Sequence, residues 1–145
     1  MSKRLNLGCG PNWRVYDYEG LDIINYGQKY VGDAMEKLDE LVVSSEEFDE
    51  IMANHFLEHF TQDQLKYIFC RVWDLLPVGG VFRFVVPHKD KEKAWVLPHK
   101  TFWCEETVRF FEREDADFVY GFGKWKVRSL VVNGRKDIHA ELVKV

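Results

Sequence analysis

The chain has 145 residues, of which 46% are hydrophobic and 15% aromatic, and its formal net charge is −4. This length predicts one domain spanning residues 1–145, and the aromatic content excludes a disordered chain of low hydrophobicity. No apolar stretch approaches the roughly 18 residues of a membrane helix and no signal-peptide core is present, so we expect a cytoplasmic protein with no membrane partner.

Four short apolar runs in the first half of the chain predict β-strands. The first run, at residues 4–7, ends at the glycine turn Gly8-Cys9-Gly10. Three further strands are predicted at residues 20–24, 29–33 and 48–54, of which the middle one has the weakest pattern.

Helix signals follow in the second half. Thr61 and Gln64 form a capping-box sequence, which predicts the start of a helix with one apolar face. Residues 77–80 (PVGG) end that helix, and the apolar run at 81–86 predicts a strand buried on both faces. A further helix of about three turns is predicted at residues 104–114.

The chain ends in a predicted β-hairpin. Residues 125–132 and 136–145 flank Asn133-Gly134, a pair typical of a two-residue type I′ turn. Single strands that alternate with helices, followed by an antiparallel hairpin, predict an α/β sandwich with a mostly parallel sheet.

Charge is distributed unevenly along the chain. Residues 33–50 carry eight acids and one lysine, whereas residues 124–136 carry five bases and no acid. A basic strand pair could contact an anionic partner, but five bases on an acidic chain make a small phosphate footprint. A solvated sheet edge is the simpler interpretation, and nucleic acid is not favoured as a partner.

The glycine turn and the acid that ends the next strand suggest a ligand site. Asp22 lies beside the turn in the predicted sheet, where its carboxylate could accept hydrogen bonds from both hydroxyls of a ribose. The third glycine of a dinucleotide fingerprint is replaced by Trp13, and the acid follows Gly10 by only 12 residues. Since a dinucleotide fold places about 20 residues there, a ligand with one ribose and no pyrophosphate fits better.

Four motifs in order resemble those of class I S-adenosylmethionine-dependent methyltransferases. The resemblance covers roughly residues 3–88, with a looser similarity at residues 99–103. The motifs are the glycine turn at 5–12 (LNLGCGPN), the strand-end acids Asp22 and Asp33, the segment 48–60 (FDEIMANHFLEHF), and the turn at 75–82 (LLPVGGVF). The resemblance implies a Rossmann-like, doubly wound, three-layer αβα sandwich that binds S-adenosylmethionine.

The same resemblance assigns nine cofactor-binding residues. Its motifs imply three groups: the methionine end (Gly8, Cys9, Gly10, Asn54, His55), the ribose side (Asp22, Ile23) and the adenine edge (Asp33, Ala34). This chain departs from the family in two ways. Asn6 replaces an acid often found before the glycine turn, and residues 11–19 are too short for a full first helix, so we expect an open cofactor pocket.

A second motif competes for part of the same segment. His55-Phe56-Leu57-Glu58-His59 satisfies H-x-x-E-H, the signature of a zinc peptidase. A strand directly before the motif and a helix cap only after it at Thr61 argue against this, and no third ligand is evident. We therefore expect no metal.

The sequence thus predicts methyl transfer from S-adenosylmethionine to an unidentified acceptor by in-line displacement. Residues 1–88 would form the cofactor half, and residues 89–145 the substrate side. His55 and His88 are the candidate general bases, although the reaction needs little acid–base help when the acceptor is already nucleophilic. The alternative is a catalytically silent, methyltransferase-like binding module or partner subunit. A homodimer is also plausible, because the pocket is open and aromatic residues are exposed.

Overall fold

A seven-stranded sheet organises the protein in the computed structural model, which describes residues 3–145. The strands run in the order β3-β2-β1-β4-β5-β7-β6. Strands β1 to β5 are parallel, and β7 is antiparallel to both of its neighbours. The predicted mostly parallel, Rossmann-like sheet with a closing antiparallel hairpin is confirmed. The strands are β1 (Arg4–Leu7), β2 (Glu19–Asp22), β3 (Tyr30–Val31), β4 (Glu50–Asn54), β5 (Val81–Pro87), β6 (Trp125–Val132) and β7 (Asp137–Lys144).

The helices are short, and two of them form most of the layer that covers the sheet. The α-helices are α1 (Ala34–Val43), α2 (Gln62–Leu75), α3 (Glu105–Arg109) and α4 (Glu114–Phe118). Single 3₁₀ turns lie at Trp13–Val15, Leu57–His59, Glu92–Trp95 and Phe110–Glu112. Among residues 3–145, no helix combines the length and apolar character needed to cross a membrane.

Local capping explains where the two longer helices begin. In α2 the predicted capping box is present, since the Thr61 N–H donates to Gln64 Oε1 and the Gln64 N–H donates to Thr61 Oγ1. Helix α1 is not among the predicted elements. Asp33 caps it by accepting a hydrogen bond from the Glu36 N–H, and Leu38 and Leu41 turn into the core.

One face of the sheet forms the core together with the helices. Leu5, Ile51, Phe82 and Leu142 lie opposite one another across four strands, and all are fully buried. At the centre of the helical layer, Phe69 of α2 packs against this face. Burying these apolar side chains holds α2 and the sheet together.

The opposite face of the sheet carries charged side chains. Arg83 Nη2 lies 3.2 Å from Glu50 Oε1 and 2.9 Å from Glu141 Oε2. Arg128 Nε lies 3.0 Å from Glu141 Oε1, so the ion pairs run across four neighbouring strands. This face is a polar surface rather than a second core.

The structure corrects the expected three-layer sandwich on this point. Parallel crossovers are right-handed, so the connections that contain α1 and α2 lie on one face, and those from β1 to β2 and from β2 to β3 lie on the other. The latter two, residues 8–18 and 23–29, are fully described and contain one 3₁₀ turn and no α-helix. A second helical layer is absent from the described chain because these connections are too short to form it.

Two further predictions are wrong in detail. The predicted helix at residues 104–114 is divided into α3, a 3₁₀ turn and the start of α4, because Arg113 is extended, with φ −70° and ψ 143°. The turn between β6 and β7 is not of type I′, which requires positive φ at Asn133 and Gly134. Instead Lys136 has φ +59°, and the Asn133 side chain accepts hydrogen bonds from the Arg135 and Asp137 N–H groups.

Candidate functional site

A cavity of about 380 Å³ lies where β1, β2 and β3 end. Ligands bind at this carboxyl edge in open α/β sheets, and the cavity volume is in the range of small-molecule sites. Its lining combines glycines, two acids, aliphatic side chains and aromatic rings. The lining residues are Gly8, Leu21, Asp22, Ile23, Gly32, Asp33, Ala34, Phe56, His59 and Phe60.

The Asp22 carboxylate is held in place by the backbone around it. The Gly10 N–H donates to Oδ2 and the Ile24 N–H donates to Oδ1, each at 3.0 Å. Each carboxylate oxygen has a second lone pair available, so both can still accept a hydrogen bond from a ligand. Asp22 therefore presents a preoriented pair of acceptors beside the glycine turn.

Gly8 allows an aromatic ring to approach the turn. Its φ is +63°, in the left-handed region that favours glycine, and a Cβ at this position would overlap the Phe56 ring. The Phe56 and Phe60 rings also pack on each other, with centroids 4.7 Å apart. The turn and these two rings shape one wall of the cavity.

Asp33 and Ala34 lie on the cavity wall contributed by the beginning of α1. One carboxylate oxygen of Asp33 caps this helix, and Ala34 is its first residue. Because the cap fixes the backbone here, it also fixes the side of the cavity that faces β3.

Five of the nine expected cofactor residues line the cavity, and Cys9, Gly10, Asn54 and His55 do not. The Cys9 N–H donates to Leu21 O, and burial raises the pKa of the Cys9 thiol to about 11, with the Asp22 charge adding to the effect. Gly10 is engaged with Asp22, and the Asn54 amide points to Met52 Sδ at 3.5 Å.

His55 lies beside the cavity lining, in a constrained conformation. Its φ is +50°, uncommon for a residue with a side chain. Nδ1 lies 3.5 Å from Glu58 Oε2, and Nε2 lies 4.0 Å from Asp137 Oδ2. Glu58 first, and Asp137 in addition, raise the pKa of His55 above its usual value.

His88, the other candidate base, is buried and fully engaged. Its Nε2 lies 2.6 Å from Glu105 Oε1, and the Asp90 N–H donates to Nδ1 at 3.1 Å. Nδ1 is therefore an acceptor and Nε2 carries the proton. Both nitrogens hold the β5–α3 connection together, which leaves His88 outside the cavity lining.

Comparisons with known proteins bear on the fold. No protein-family model matches the sequence, and no curated protein is similar to it in sequence. A SAM-dependent methyltransferase from Archaeoglobus fulgidus has a TM-score of 0.71 and 15% identity over 99% of this chain and 86% of that chain. Burkholderia thailandensis 1,6-didemethyltoxoflavin-N1-methyltransferase, solved with 1,6-didemethyltoxoflavin and S-adenosylhomocysteine bound, has a TM-score of 0.71 and 16% identity, covering 99% and 71%. For the mitomycin 7-O-methyltransferase MmcR the TM-score is 0.71 and the identity 11%, covering 99% and 49%, so the chain spans about half of that protein.

This chain has the fold of S-adenosylmethionine-dependent methyltransferases. The likeness extends over nearly the whole chain, including the last third, where the motifs of the sequence are weak. Its cavity lies at the edge of the sheet where the motif resemblance places the cofactor.

In this methyltransferase fold, some cavity residues are not among those predicted from the sequence. Phe56, His59 and Phe60 line the cavity, although the motif that contains them predicts only Asn54 and His55 as cofactor residues. The 3₁₀ turn Leu57–His59 bends the chain after β4, so that Phe56 and Phe60 face the same space. The four-residue spacing of Phe56 and Phe60 is the sequence feature that could have predicted this pairing.

The H-x-x-E-H motif does not have the arrangement found in a zinc peptidase. That arrangement requires His55 and His59 on one face of a helix. Here Leu57–His59 is a single 3₁₀ turn, and His55 precedes it with a left-handed backbone conformation. A different set converges instead: ligand atoms of Glu58, His59 and His99 all lie within 4.8 Å of one another.

Proposed function

We propose that this protein transfers a methyl group from S-adenosylmethionine to an acceptor molecule, with residues 1–88 as the cofactor half and residues 89–145 as the substrate side of one domain. The observation that carries the proposal is the preoriented Asp22 carboxylate, which lines a cavity beside the Gly8–Gly10 turn in a methyltransferase fold. The fold alone does not specify the ligand. A strand-end acid beside a turn whose glycines lack side chains is suited to bind a ribose.

The residues present fit the cofactor in three respects. Asp22 would accept hydrogen bonds from the two ribose hydroxyls while the Gly10 and Ile24 amides hold it in place. Asp33 and Ala34 would border the adenine, and Gly10, where a Cβ would meet no described atom within 4 Å, would allow the methionine end to pass close to the backbone. Phe56 and Phe60 would supply the apolar surface on which a planar base packs.

The chemistry that the cofactor supplies is an electrophilic methyl group on a sulfonium. The task of this chain is to bind it and to align an acceptor in line with the methyl–sulfur bond. Since His88 is engaged on both nitrogens, His55 is the remaining candidate for removing a proton from the acceptor. A nucleophilic acceptor would need no base.

Calorimetric titration with S-adenosylhomocysteine tests the cofactor. We expect the wild type to bind, and Asp22→Ala to lose about 1.5–3 kcal/mol, or roughly tenfold to a hundredfold in affinity. Asp22→Asn retains one acceptor and should lose less, and circular dichroism of both variants checks that they fold. Asp63→Ala, on the exposed first turn of α2, is the matched control. Absence of binding by the wild type, or equal affinity in Asp22→Ala, would overturn the proposal.

The acceptor class is the next question once the cofactor binds. The Burkholderia thailandensis enzyme was solved with 1,6-didemethyltoxoflavin bound, and MmcR is named as a mitomycin 7-O-methyltransferase. We would therefore screen small-molecule acceptors first, following S-adenosylhomocysteine release. Nucleic acid comes later because the chain is acidic.

A catalytically silent binding module or partner subunit is the second candidate. It is favoured by the missing helical layer, which leaves the ion-paired face of Glu50, Arg83 and Glu141 without a helix over it. Sedimentation velocity, which reports association, and a methyl-transfer assay together distinguish the two. A monomer that turns over an acceptor supports the enzyme, whereas cofactor binding without turnover, together with a stable complex, supports the subunit.

A further inference from the structure

Two segments that are distant in sequence bring three potential metal-binding side chains together. Glu58 and His59 lie on the 3₁₀ turn after β4, and His99 lies in the loop between β5 and α3. The Lys100 and Thr101 N–H groups donate to Glu58 O at 2.8 and 3.3 Å. The loop is thus fastened to the turn by its backbone, which holds His99 next to Glu58.

The Glu58 carboxylate is buried and incompletely paired. The residue is 1% exposed, and its Oε1 has no hydrogen-bond partner anywhere in residues 3–145. The other oxygen, Oε2, faces His55 Nδ1 at 3.5 Å, which is long for a hydrogen bond. Leaving a buried carboxylate oxygen without a partner is costly, so this position calls for a cation or a donor.

His99 is oriented as a metal ligand. Its Nδ1 lies 3.1 Å from Ala94 O, so Nδ1 carries the proton and Nε2 has a free lone pair. A backbone carbonyl that fixes the tautomer in this way is the usual second contact of a metal-bound histidine. The His59 ring meets the His99 ring edge-on, with centroids 4.7 Å apart, and His59 is exposed, which gives an ion a path from solvent.

We propose that Glu58, His59 and His99 bind one divalent transition-metal ion of the zinc type. Two imidazoles and one carboxylate favour zinc over magnesium or calcium, which prefer oxygen ligands. Ligand atoms on a tetrahedral zinc lie roughly 3.3–3.5 Å apart, as follows from metal–ligand distances of about 2.0–2.2 Å. The present spacing of up to 4.8 Å is wider than this, so the three side chains would draw together by about 1 Å when the ion binds.

The position of the ion has two consequences. It would provide Glu58 Oε1 with the partner that it lacks, and it would fasten the loop that carries His99 to the turn that carries His59. Because His59 also lines the cavity, the ion would lie at the wall of the proposed cofactor site. The metal site does not depend on the methyltransferase proposal, since its residues converge whatever the cavity holds.

Competition with a chromophoric chelator, after removal of metal from the full chain, measures zinc affinity and stoichiometry. We expect one zinc ion per chain, with His59→Ala and His99→Ala each weakening it by more than about tenfold. His59 is exposed, so its replacement removes a ligand without disturbing the core. His139→Ala, an exposed histidine that contacts Asn133, is the control and should keep wild-type affinity.

His55→Ala separates this site from the peptidase arrangement of the H-x-x-E-H motif. His55→Ala removes a neighbour of Glu58 but none of the converging ligands, so we expect it to weaken zinc binding less than His59→Ala or His99→Ala does. Loss of affinity in His55→Ala equal to that in His99→Ala would overturn the proposal. So would wild-type affinity no tighter than that of the His59→Ala/His99→Ala double variant, which measures zinc bound elsewhere, including by the cysteine thiols. Titration with S-adenosylhomocysteine on the same samples shows whether cofactor binding fails separately.

Discussion

Gly8 and Gly10 occupy one turn with nearly the same backbone conformation but different surroundings. Their φ values are +63° and +67°, yet a Cβ at Gly8 would overlap the Phe56 ring whereas a Cβ at Gly10 would meet no described atom within 4 Å. An alanine at either position would therefore have to adopt the unfavourable left-handed conformation, but only at Gly8 would its Cβ also collide with a neighbouring side chain.

Replacing each glycine by alanine should separate these two effects. Gly10→Ala should lower the free energy of unfolding by about 1–2 kcal/mol, the cost of the left-handed conformation alone. Gly8→Ala should lose more, because Phe56 must move, and it should also lose affinity for S-adenosylhomocysteine. Urea unfolding and calorimetry measure both quantities.

Gly79→Ala is the control for strain without the cavity. Gly79 has φ +87°, also with no described atom within 4 Å of a Cβ, and it lies in the turn between α2 and β5. It should resemble Gly10→Ala in stability and the wild type in ligand affinity. Equal losses of stability in Gly8→Ala and Gly10→Ala would mean that Phe56 does not constrain the turn.

Among the elements, α1 connects stability to the cavity through a single side chain. Asp33 caps α1 through the Glu36 N–H and lines the cavity with its neighbour Ala34. Asp33→Ala should lower the unfolding free energy by about 1 kcal/mol, whereas Asp33→Asn keeps a good cap and should change it little. The asparagine variant therefore tests the ligand contact without loss of the helix.

For ligand affinity we expect a decrease of about fivefold in Asp33→Asn and a larger one in Asp33→Ala. Thr61→Ala removes the corresponding cap of α2 at a residue that adjoins Phe60 but does not itself line the cavity, and it should reduce stability with little change in affinity. If Thr61→Ala weakened ligand binding as much as Asp33→Ala, loss of global stability would explain both results.

The elements also show where sequence patterns suffice. Helix α2 was predictable because Thr61 and Gln64 cap it locally and its apolar spacing continues for several turns. Helix α1 was not predicted, although Asp33 supplies its cap and Leu38 and Leu41 its apolar face, because the helix spans only ten residues and acids interrupt that apolar pattern. The break at Arg113 depends on tertiary contacts, such as the Val127 N–H donating to Glu112 Oε1, which no local pattern reveals.

At the scale of the whole molecule, the sequence predicted the sheet and its ligand-binding edge more completely than the layers around it. Strand-end residues such as Asp22 and Asp33 follow from the motifs and lie at the cavity. The single helical layer follows in part from the shortness of residues 11–19, which form one 3₁₀ turn in place of a first helix. The meeting of Glu58 with His99 could not be predicted, because it depends on how the loop after β5 folds back.

The closing hairpin is joined to the helical layer by Lys144 at the end of β7. Lys144 Nζ donates to Trp73 O at 2.8 Å and to Leu76 O at 2.7 Å, carbonyls at the C-terminal end of α2, and it lies 3.6 Å from the Trp73 ring centroid. The last carbonyls of a helix lack partners within the helix, and a cation at that end is also favoured by the helix dipole.

Lys144→Met keeps the apolar stem over Trp73 and removes both donors. The free energy of unfolding should fall by about 2 kcal/mol, in the range for hydrogen bonds from a charged group, because the Leu76 carbonyl loses its partner and the Trp73 carbonyl keeps only the Leu76 N–H. Urea unfolding measures the change, and Lys126→Met, an exposed lysine on β6, should remain within about 0.5 kcal/mol of the wild type. If the two variants were equally stable, Lys144 would be an ordinary surface lysine, and the hairpin would be held to the rest of the molecule by its strand pairing with β5 and by the apolar core alone.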